Sequence, residues 1–425
     1  MAPLANRSNL PSFILADFSA NINEKALKNI PLTIMIDYIK QKGKLLMIQL
    51  KKRIDCHVHY ALPLAPETLV SFMDETDTAM ANLVLVPHTQ RLSALPDAMM
   101  AKYRYPDRFY VFASLDPSVY YRHPKTLGKY MAAHAKRMRR CGCDGIKIIE
   151  GKPNMRRILP IPHFDLPCWE PFWAYAEAEQ LPILWHVNDP EEYWHPEQVS
   201  EYRRNMGDVY GESDVGYEEQ YQQVFRVLQK HPKLKIIFAH FFFLSGQLER
   251  LGNLLDTYPN IRVDVTPGSE MYRILSENHD EAQAFFQKYH TRILYGTDAG
   301  ARCVMTQLMS GFHLQENLNR VALINSFFSP ETDEIHSSDG AYLLDVPDFV
   351  FKGLDLTEDE LDHIFCKNFQ SFAGQMPAPV QPRPVIQECR RIIITLKIMG
   401  LIDRKLSADP SAAKSAITFF KKAKS

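Results

Sequence analysis

The sequence predicts an α/β protein, a (β/α)8 TIM-type barrel with helical extensions at its two ends. Three observations predict it. Eight short apolar runs alternate with helical patterns over about 250 residues, the usual span of such a barrel. The runs are continuously apolar rather than alternating, as in parallel strands covered by helices. The first run and three later ones end in His or Asp. A closed ring brings the ends of the first and last strands together, which a doubly wound open sheet does not.

Residues 1–44 read as a polar leader with a helix around residues 26–42. It is an arm for packing on the domain or on a second copy, which leaves a homo-oligomer open. The barrel domain is assigned to residues 45–376. Its first strand follows the run Leu45-Leu46-Met47-Ile48-Gln49-Leu50 and ends at His59. A helix at 66–75 precedes a buried strand over 81–88, ending in His88. A helix at 92–103 leads to the strand at 109–115, and a basic amphipathic helix at 125–140 leads to the strand at 145–149. A loop with five prolines between Pro153 and Pro171 precedes a helix at 170–179 and the strand Pro182-Ile183-Leu184-Trp185-His186. Residues 188–215 are polar, and loops of that length inside a compact domain usually cover an active site.

The helix at 217–230 places Tyr217, Tyr221, Val224 and Leu228 on one face. It feeds the strand 234–240, ending in His240. Helices at 247–257 and 281–289 then feed the strands 261–266 and 292–298, the last ending in Asp298. Thr357-Glu358-Asp359-Glu360 fits a capping box. Residues 377–425 are a proline-rich linker over 377–384, a helix at 386–399 stopped by Gly400, and a frayed basic tail at 421–424.

Bulk properties exclude several classes. With 46% hydrophobic and 23% charged residues the chain has a globular composition. A formal net charge of -1 gives no case for nucleic acid or an anionic membrane surface. No apolar run approaches the roughly 20 residues of a membrane span. The N-terminus lacks a secretory signal pattern, so the expected location is cytoplasmic. The seven cysteines are odd in number and scattered, so they read as reduced thiols rather than a disulfide framework. Cys141-Gly142-Cys143 lacks the spacing and the second pair of a zinc knuckle.

The candidate chemistry sits at strand ends, where barrel enzymes carry it. His57 and His59 in Asp55-Cys56-His57-Val58-His59 share a face of an extended strand, about 6.5 Å apart along the chain. His186, His240 and Asp298 end the fifth, sixth and eighth strands. Imidazoles plus a carboxylate suit a divalent metal with one open position for water. Any one of these His residues alone reads as a packed core residue, and it is their joint placement in barrel order that points to a site.

The motifs Asp55-x-His57-x-His59, Pro182-Ile183-Leu184-Trp185-His186, Phe238-Ala239-His240 and Leu294-Tyr295-Gly296-Thr297-Asp298 resemble those of the amidohydrolase superfamily. More narrowly they resemble its amidohydrolase-related branch, which includes aminocarboxymuconate-semialdehyde decarboxylase. The resemblance covers roughly residues 50–375. It implies that His57, His59, His186 and Asp298 bind one divalent ion, expected to be Zn2+, with His240 a neighbouring or catalytic imidazole. A metal lowers the pKa of water to about 7. Asp298 would orient that water and shuttle its proton. His240 would polarise a carbonyl or protonate a leaving group.

Lys147 lies on the fourth strand, where other amidohydrolases carry a carboxylated lysine bridging two metals. A two-metal site with His240 as a ligand is therefore the alternative. An unmodified Lys147 needs an anion, Glu150 or a substrate carboxylate. His88, Trp185 and Asn188 are weaker pocket candidates, with Trp194 a further apolar wall. Asn188 and Asp189 are expected to shape the turn after the fifth strand, and Asp264 to satisfy backbone or Arg262.

The leading expectation is a metal-dependent hydrolase of a small amide, ester or lactone. The alternatives are a metal-dependent non-oxidative decarboxylase of an aromatic or unsaturated acid, and a catalytically weak barrel serving in an assembly. The expected partner is a small-molecule substrate, with no nucleic acid and no membrane.

Overall fold

The computed structural model describes residues 53–423, except 62–63, 89, 206, 269, 305–306, 330–350 and 403–407. The leader of residues 1–44, its helix at 26–42 and the apolar run at 45–50 lie outside the described residues.

Strands β1 (Arg53–His59), β2 (Thr78–Val84), β3 (Phe109–Ser114), β4 (Gly145–Gly151), β5 (Ile183–Val187), β6 (Ile236–Phe238) and β7 (Ile261–Asp264) follow one another in chain order, all parallel. The eighth strand is split. Its first half, β8 (Ile293–Leu294), pairs with β7, and its second half, β9 (Ala299–Gly300), pairs with β1. Between the halves the Cys56 N–H donates to the Tyr295 carbonyl at 3.0 Å, and the Asp298 N–H to the His57 carbonyl at 2.9 Å. The ring is thereby closed, as a (β/α)8 barrel requires.

The strand breaks because Asp298 has φ 55°, a left-handed backbone that cannot continue a ladder. Two glycines make the seam fit. A Cβ on Gly300 (φ 106°) would lie 2.0 Å from the His59 carbonyl, and one on Gly296 would lie 2.8 Å from Thr266 and 3.3 Å from the His57 Cβ.

Helices α1 (Pro66–Glu75), α2 (Leu95–Arg104), α3 (Leu127–Cys141), α4 (Glu170–Ala178), α5 (Tyr217–Lys230), α6 (Leu248–Thr257) and α7 (His279–Tyr289) alternate with the strands. In α3, Leu127, Met131, Ala135 and Met138 form the buried stripe, and Gly142 (φ 98°) ends the helix in the left-handed conformation. Inside the ring, Ile54, Cys56, Tyr110, Phe112, Leu184, Ile237 and Leu294 pack with Phe369 and Phe372 of the helix Asn368–Ala373. Lys235 and Arg262, at the starts of β6 and β7, lie over the Phe372 ring, so this helix stoppers the N-terminal end.

Several elements differ from expectation for physical reasons. The strand expected over 81–88 ends at Val84, and Pro87–His88 instead pairs antiparallel with Leu92–Ser93. Leu92 has φ 65°, so the helix expected from 92 begins at Leu95. The proline-rich loop holds a helix, Pro153–Ile158, with proline at the first position, where no N–H is needed. The 188–215 segment carries short helical turns at Glu191–Trp194 and Glu201–Asn205, with its own small core of Tyr193, Val199 and Tyr210.

The capping box at Thr357 is present in full. Helices α8 (Leu314–Phe327), α9 (Pro382–Ile402) and α10 (Ser411–Lys422) complete the fold. Helix α9 starts inside the expected linker and runs past Gly400, where open space surrounds the missing Cβ. Of the expected frayed tail, Lys421 and Lys422 are instead the last residues of α10, held by burial of Ala412, Ala413, Ala416 and Phe420, and residue 424 lies outside the described residues. Tyr103 on α2 meets the Phe419 and Phe420 rings edge-on at 5.7 and 5.5 Å. Among the described residues no helix is long and apolar enough to cross a membrane.

Candidate metal centre

His57 and His59 stand at the end of β1, and the left-handed turn at Asp298 aims its carboxylate across the seam at them. The His59 Nε2 lies 3.0 Å from Asp298 Oδ1, and the His57 Nε2 lies 3.8 Å from the same oxygen. One donor atom from each of the three residues falls within 4.8 Å of the others, an arrangement that could hold a divalent metal.

The tautomer of His57 follows from its partners. Nδ1 faces Asp264 Oδ2 at 2.9 Å, and a carboxylate only accepts, so Nδ1 carries the proton. Its Nε2 lone pair faces the site and takes a hydrogen bond from Lys147 Nζ at 3.0 Å. Burial, followed by the Lys147 charge, holds the His57 pKa well below its usual value, so the ring is neutral. A neutral imidazole backed by a carboxylate is the form a metal ligand takes.

Asp264 ends β7 and does more than satisfy local backbone. It also accepts from the His240 N–H at 2.8 Å and from the Thr266 hydroxyl at 2.5 Å. That hydroxyl has one proton and spends it on Asp264. The 3.0 Å contact between Thr266 Oγ1 and His240 Nδ1 therefore has Nδ1 as donor, leaving a lone pair on His240 Nε2. Burial first, then the His186 charge, keeps His240 neutral as well. The residue stands on four successive left-handed positions, His240 to Phe243, with φ between 52° and 58°. Side chains rarely adopt this conformation in series. Here burial of Phe241 and Phe242 holds it, with Phe242 stacked on Phe238 at 3.9 Å.

The other expected site residues fall in different places. His186 neighbours His240, ring centroids 4.9 Å apart, but its Nε2 faces the Asn188 carbonyl at 3.0 Å and is not in the converging trio. Asn188 (φ 71°) shapes the turn and donates to the Tyr217 carbonyl at 3.0 Å. Asp189 is held by Lys152 at 2.7 Å and by the Tyr210 hydroxyl at 2.6 Å. Trp185 is not a pocket wall. Strand alternation turns it outward, between Trp173 and Phe164 at 4.9 Å each. Trp194 packs on Tyr210 at 4.6 Å. His88 sits on the small hairpin rather than a barrel strand, accepting from the Gln90 N–H at 3.1 Å. Lys147 is fully buried, and burial lowers its pKa to about 8. Glu150 is also buried and is pushed up to about 7.

Sequence reasoning missed Thr266 and Arg320. Arg320, on α8, is 2% exposed with Nη1 3.4 Å from Asp298 Oδ2. Its helix carries no motif. Asp264 offered a signal equal to that of Asp298, a carboxylate ending an apolar strand.

The family model for amidohydrolases matches residues 54–368, nearly three quarters of the sequence. The chain belongs to the amidohydrolase family. That range runs from β1 to the start of the stoppering helix, so it contains every residue of the trio. No curated protein sequence matches this amidohydrolase-family chain. Solved structures similar to it include a TIM-barrel protein from Bordetella bronchiseptica (14% identity, 76% of this chain and 99% of that one, TM-score 0.49). Others are a 2,6-dihydroxybenzoate decarboxylase from Rhizobium (15%, 76% and 98%, 0.46) and a probable 2-pyrone-4,6-dicarboxylic acid hydrolase from Acinetobacter baumannii (14%, 76% and 100%, 0.43).

Proposed function

We propose that this amidohydrolase-family chain is a metal-dependent hydrolase acting on a small amide, ester or lactone. The observation that carries the reading is the convergence of His57, His59 and Asp298, with His57 fixed from behind by Asp264. Two imidazoles and a carboxylate suit Zn2+. The converging group does not include His240, the further ligand a two-ion site would need, and Lys147 Nζ instead donates to the His57 Nε2 at 3.0 Å; one ion is the simpler reading. A divalent ion held there would supply water that ionises near neutral pH.

The chain's own groups supply the rest. Asp298, 8% exposed beside His59, accepts the proton from the attacking water. Arg320 orients its other oxygen. His240, with a free Nε2, is first a proton acceptor rather than a donor to a carbonyl; once protonated it can deliver to a leaving group. Asp264 holds the His57 ring in its tautomer directly and the His240 ring through the Thr266 hydroxyl. The donors lie inside the ring, His57 fully buried, which suits a small substrate.

The test is metal analysis of the purified protein, then a panel of esters, lactones, amides and aromatic acids in oxygen-labelled and in deuterated water. Labelled oxygen in the product is expected. Loss of carbon dioxide with deuterium on carbon would replace hydrolysis by non-oxidative decarboxylation, which the same groups can serve.

A further inference from the structure

The turn that feeds the eighth strand carries a second constellation, at the other end of the barrel. His290 sits in the turn His290–Arg292 just before β8. Asp359 stands on the helix Glu358–Asp362, and His363, four residues on, opens the π-helical turn His363–Lys367 that continues it. Residues at this spacing share a helix face. One donor atom from each of His290, Asp359 and His363 lies within 4.8 Å of the others.

The hydrogen bonds around the cluster fix which atoms face inward. The Asn368 amide spends both N–H groups, on the His290 carbonyl at 2.6 Å and the Ile293 carbonyl at 2.7 Å. Its oxygen is therefore what faces His363 Nδ1 at 3.1 Å, and that nitrogen must donate. His290 Nδ1 faces the Gln287 carbonyl at 2.7 Å and must donate too. Each ring is left with a lone pair on Nε2. The His363 Nε2 lies 4.0 Å from Asp359 Oδ2, while Lys367 holds the other oxygen, Oδ1, at 2.8 Å.

Two imidazoles with Nδ1 anchored to an amide or backbone oxygen, and Nε2 free, are built as metal ligands are built. We propose that His290, Asp359 and His363 form a second divalent-metal site, for Zn2+ or a similar borderline ion, on the N-terminal rim. Its structural consequence is direct. The ion would bolt the Glu358–Lys367 helix to the turn entering β8, reinforcing the bond from the Tyr295 N–H to the Ile364 carbonyl at 2.9 Å. Lys367 tempers the affinity, but its side chain is 47% exposed and can swing away without stranding a buried charge.

The test is equilibrium dialysis against Zn2+ alone, with thermal melts in its presence and absence. The Asp298→Asn protein, whose barrel-mouth trio is disabled, should still retain about one equivalent. Adding Asp359→Asn, an exposed substitution that leaves the fold alone, should remove it together with the zinc-induced rise in Tm. His363→Gln should do the same, and Lys367→Ala should tighten binding. Equal zinc content with and without Asp359→Asn, or no zinc bound by Asp298→Asn, would overturn the proposal whatever the mouth proves to catalyse.

Discussion

Strand eight has a His/Asp cluster at each end, and the two are built from the same ligand types in opposite surroundings. At the mouth, His57 is fully buried and Asp298 nearly so, and Asp264, Thr266 and Arg320 hold the rings and carboxylate in place. At the rim, Asp359 is 72% exposed and His363 27%. The difference teaches what burial adds. Both places fix the histidine tautomers with hydrogen bonds. Only the mouth also removes water, which strengthens every charge interaction there and lets a carboxylate act on a proton in the reaction. On the readings proposed above, the rim would only bind, whereas the mouth would bind and react.

The sharpest way to break this contrast is Asp298→Asn. It keeps the shape and removes the acceptor, so turnover should fall by about 10³-fold or more while the melting curve is retained. Steady-state rates and circular dichroism check it together. Full activity in that variant would make the two clusters functionally alike. Next in size is Asp264→Asn, which touches no substrate. An amide can still face His57 Nδ1 but cannot favour its proton as a carboxylate does. Metal affinity at the mouth should fall by about 10–100-fold, read by competition with a chelator, with the zinc retained at the rim unchanged.

Much of the mouth was legible because its residues interrupt apolar strands. His57, His59, His186, His240 and Asp298 each end a run that would otherwise continue, and the ring then brings His57, His59 and Asp298 together, with His240 beside His57 and His186 beside His240. Asp264 gave the same signal but read as a local cap, because its partners, His57 and His240, come from other strands. Trp185 was misplaced by one step of alternation: a residue next to His186 must face the opposite way. Pro87 cut β2 short and carried His88 off the barrel. Helix α10 looked like a tail because Lys421 and Lys422 dominate its end, although Ala412, Ala416 and Phe420 already marked its buried face. The rim cluster was illegible as a unit. Only the Asp359/His363 step is local, and His290 joins it through the barrel's return.

Carboxylates of the two regions should also respond to pH in opposite directions. Glu270, 6% exposed, borders a cavity of about 110 Å3 with Glu192, Arg203 and Arg273, beyond β7. Burial, with repulsion from Glu192 and Asp189, pushes its pKa up to about 7. The folded protein then holds this proton more tightly than the unfolded chain, whose value is about 4.3. The stability this gives is complete below the unfolded value and is lost as pH rises towards 7. Glu270→Gln should therefore change little at acid pH and stabilise at pH 8 by up to about 3 kcal/mol, read from denaturant melts at the two pH values. Asp359 is the counterexample. Its hydrogen bond and charge contact with Lys367 lower its pKa, so its contribution is present at neutral pH and fades on acidification.

The smallest expected effect is the one that separates the regions most cleanly. Without added metal, Asp359→Asn removes an exposed ion pair with Lys367, and such pairs contribute little. Turnover should be unchanged and Tm nearly so. The rim lies before β8 and the reacting groups after it, with the Phe369–Phe372 stopper filling the N-terminal end of the ring. A variant that silenced turnover would mean that the position of Asp298 depends on the entry turn of its own strand. Measuring kcat and KM of Asp359→Asn with and without Zn2+ decides this. An unchanged kcat leaves the rim a fastening and the mouth a self-sufficient site, because the bonds from the Cys56 N–H to the Tyr295 carbonyl and from the Asp298 N–H to the His57 carbonyl already fix where the eighth strand ends.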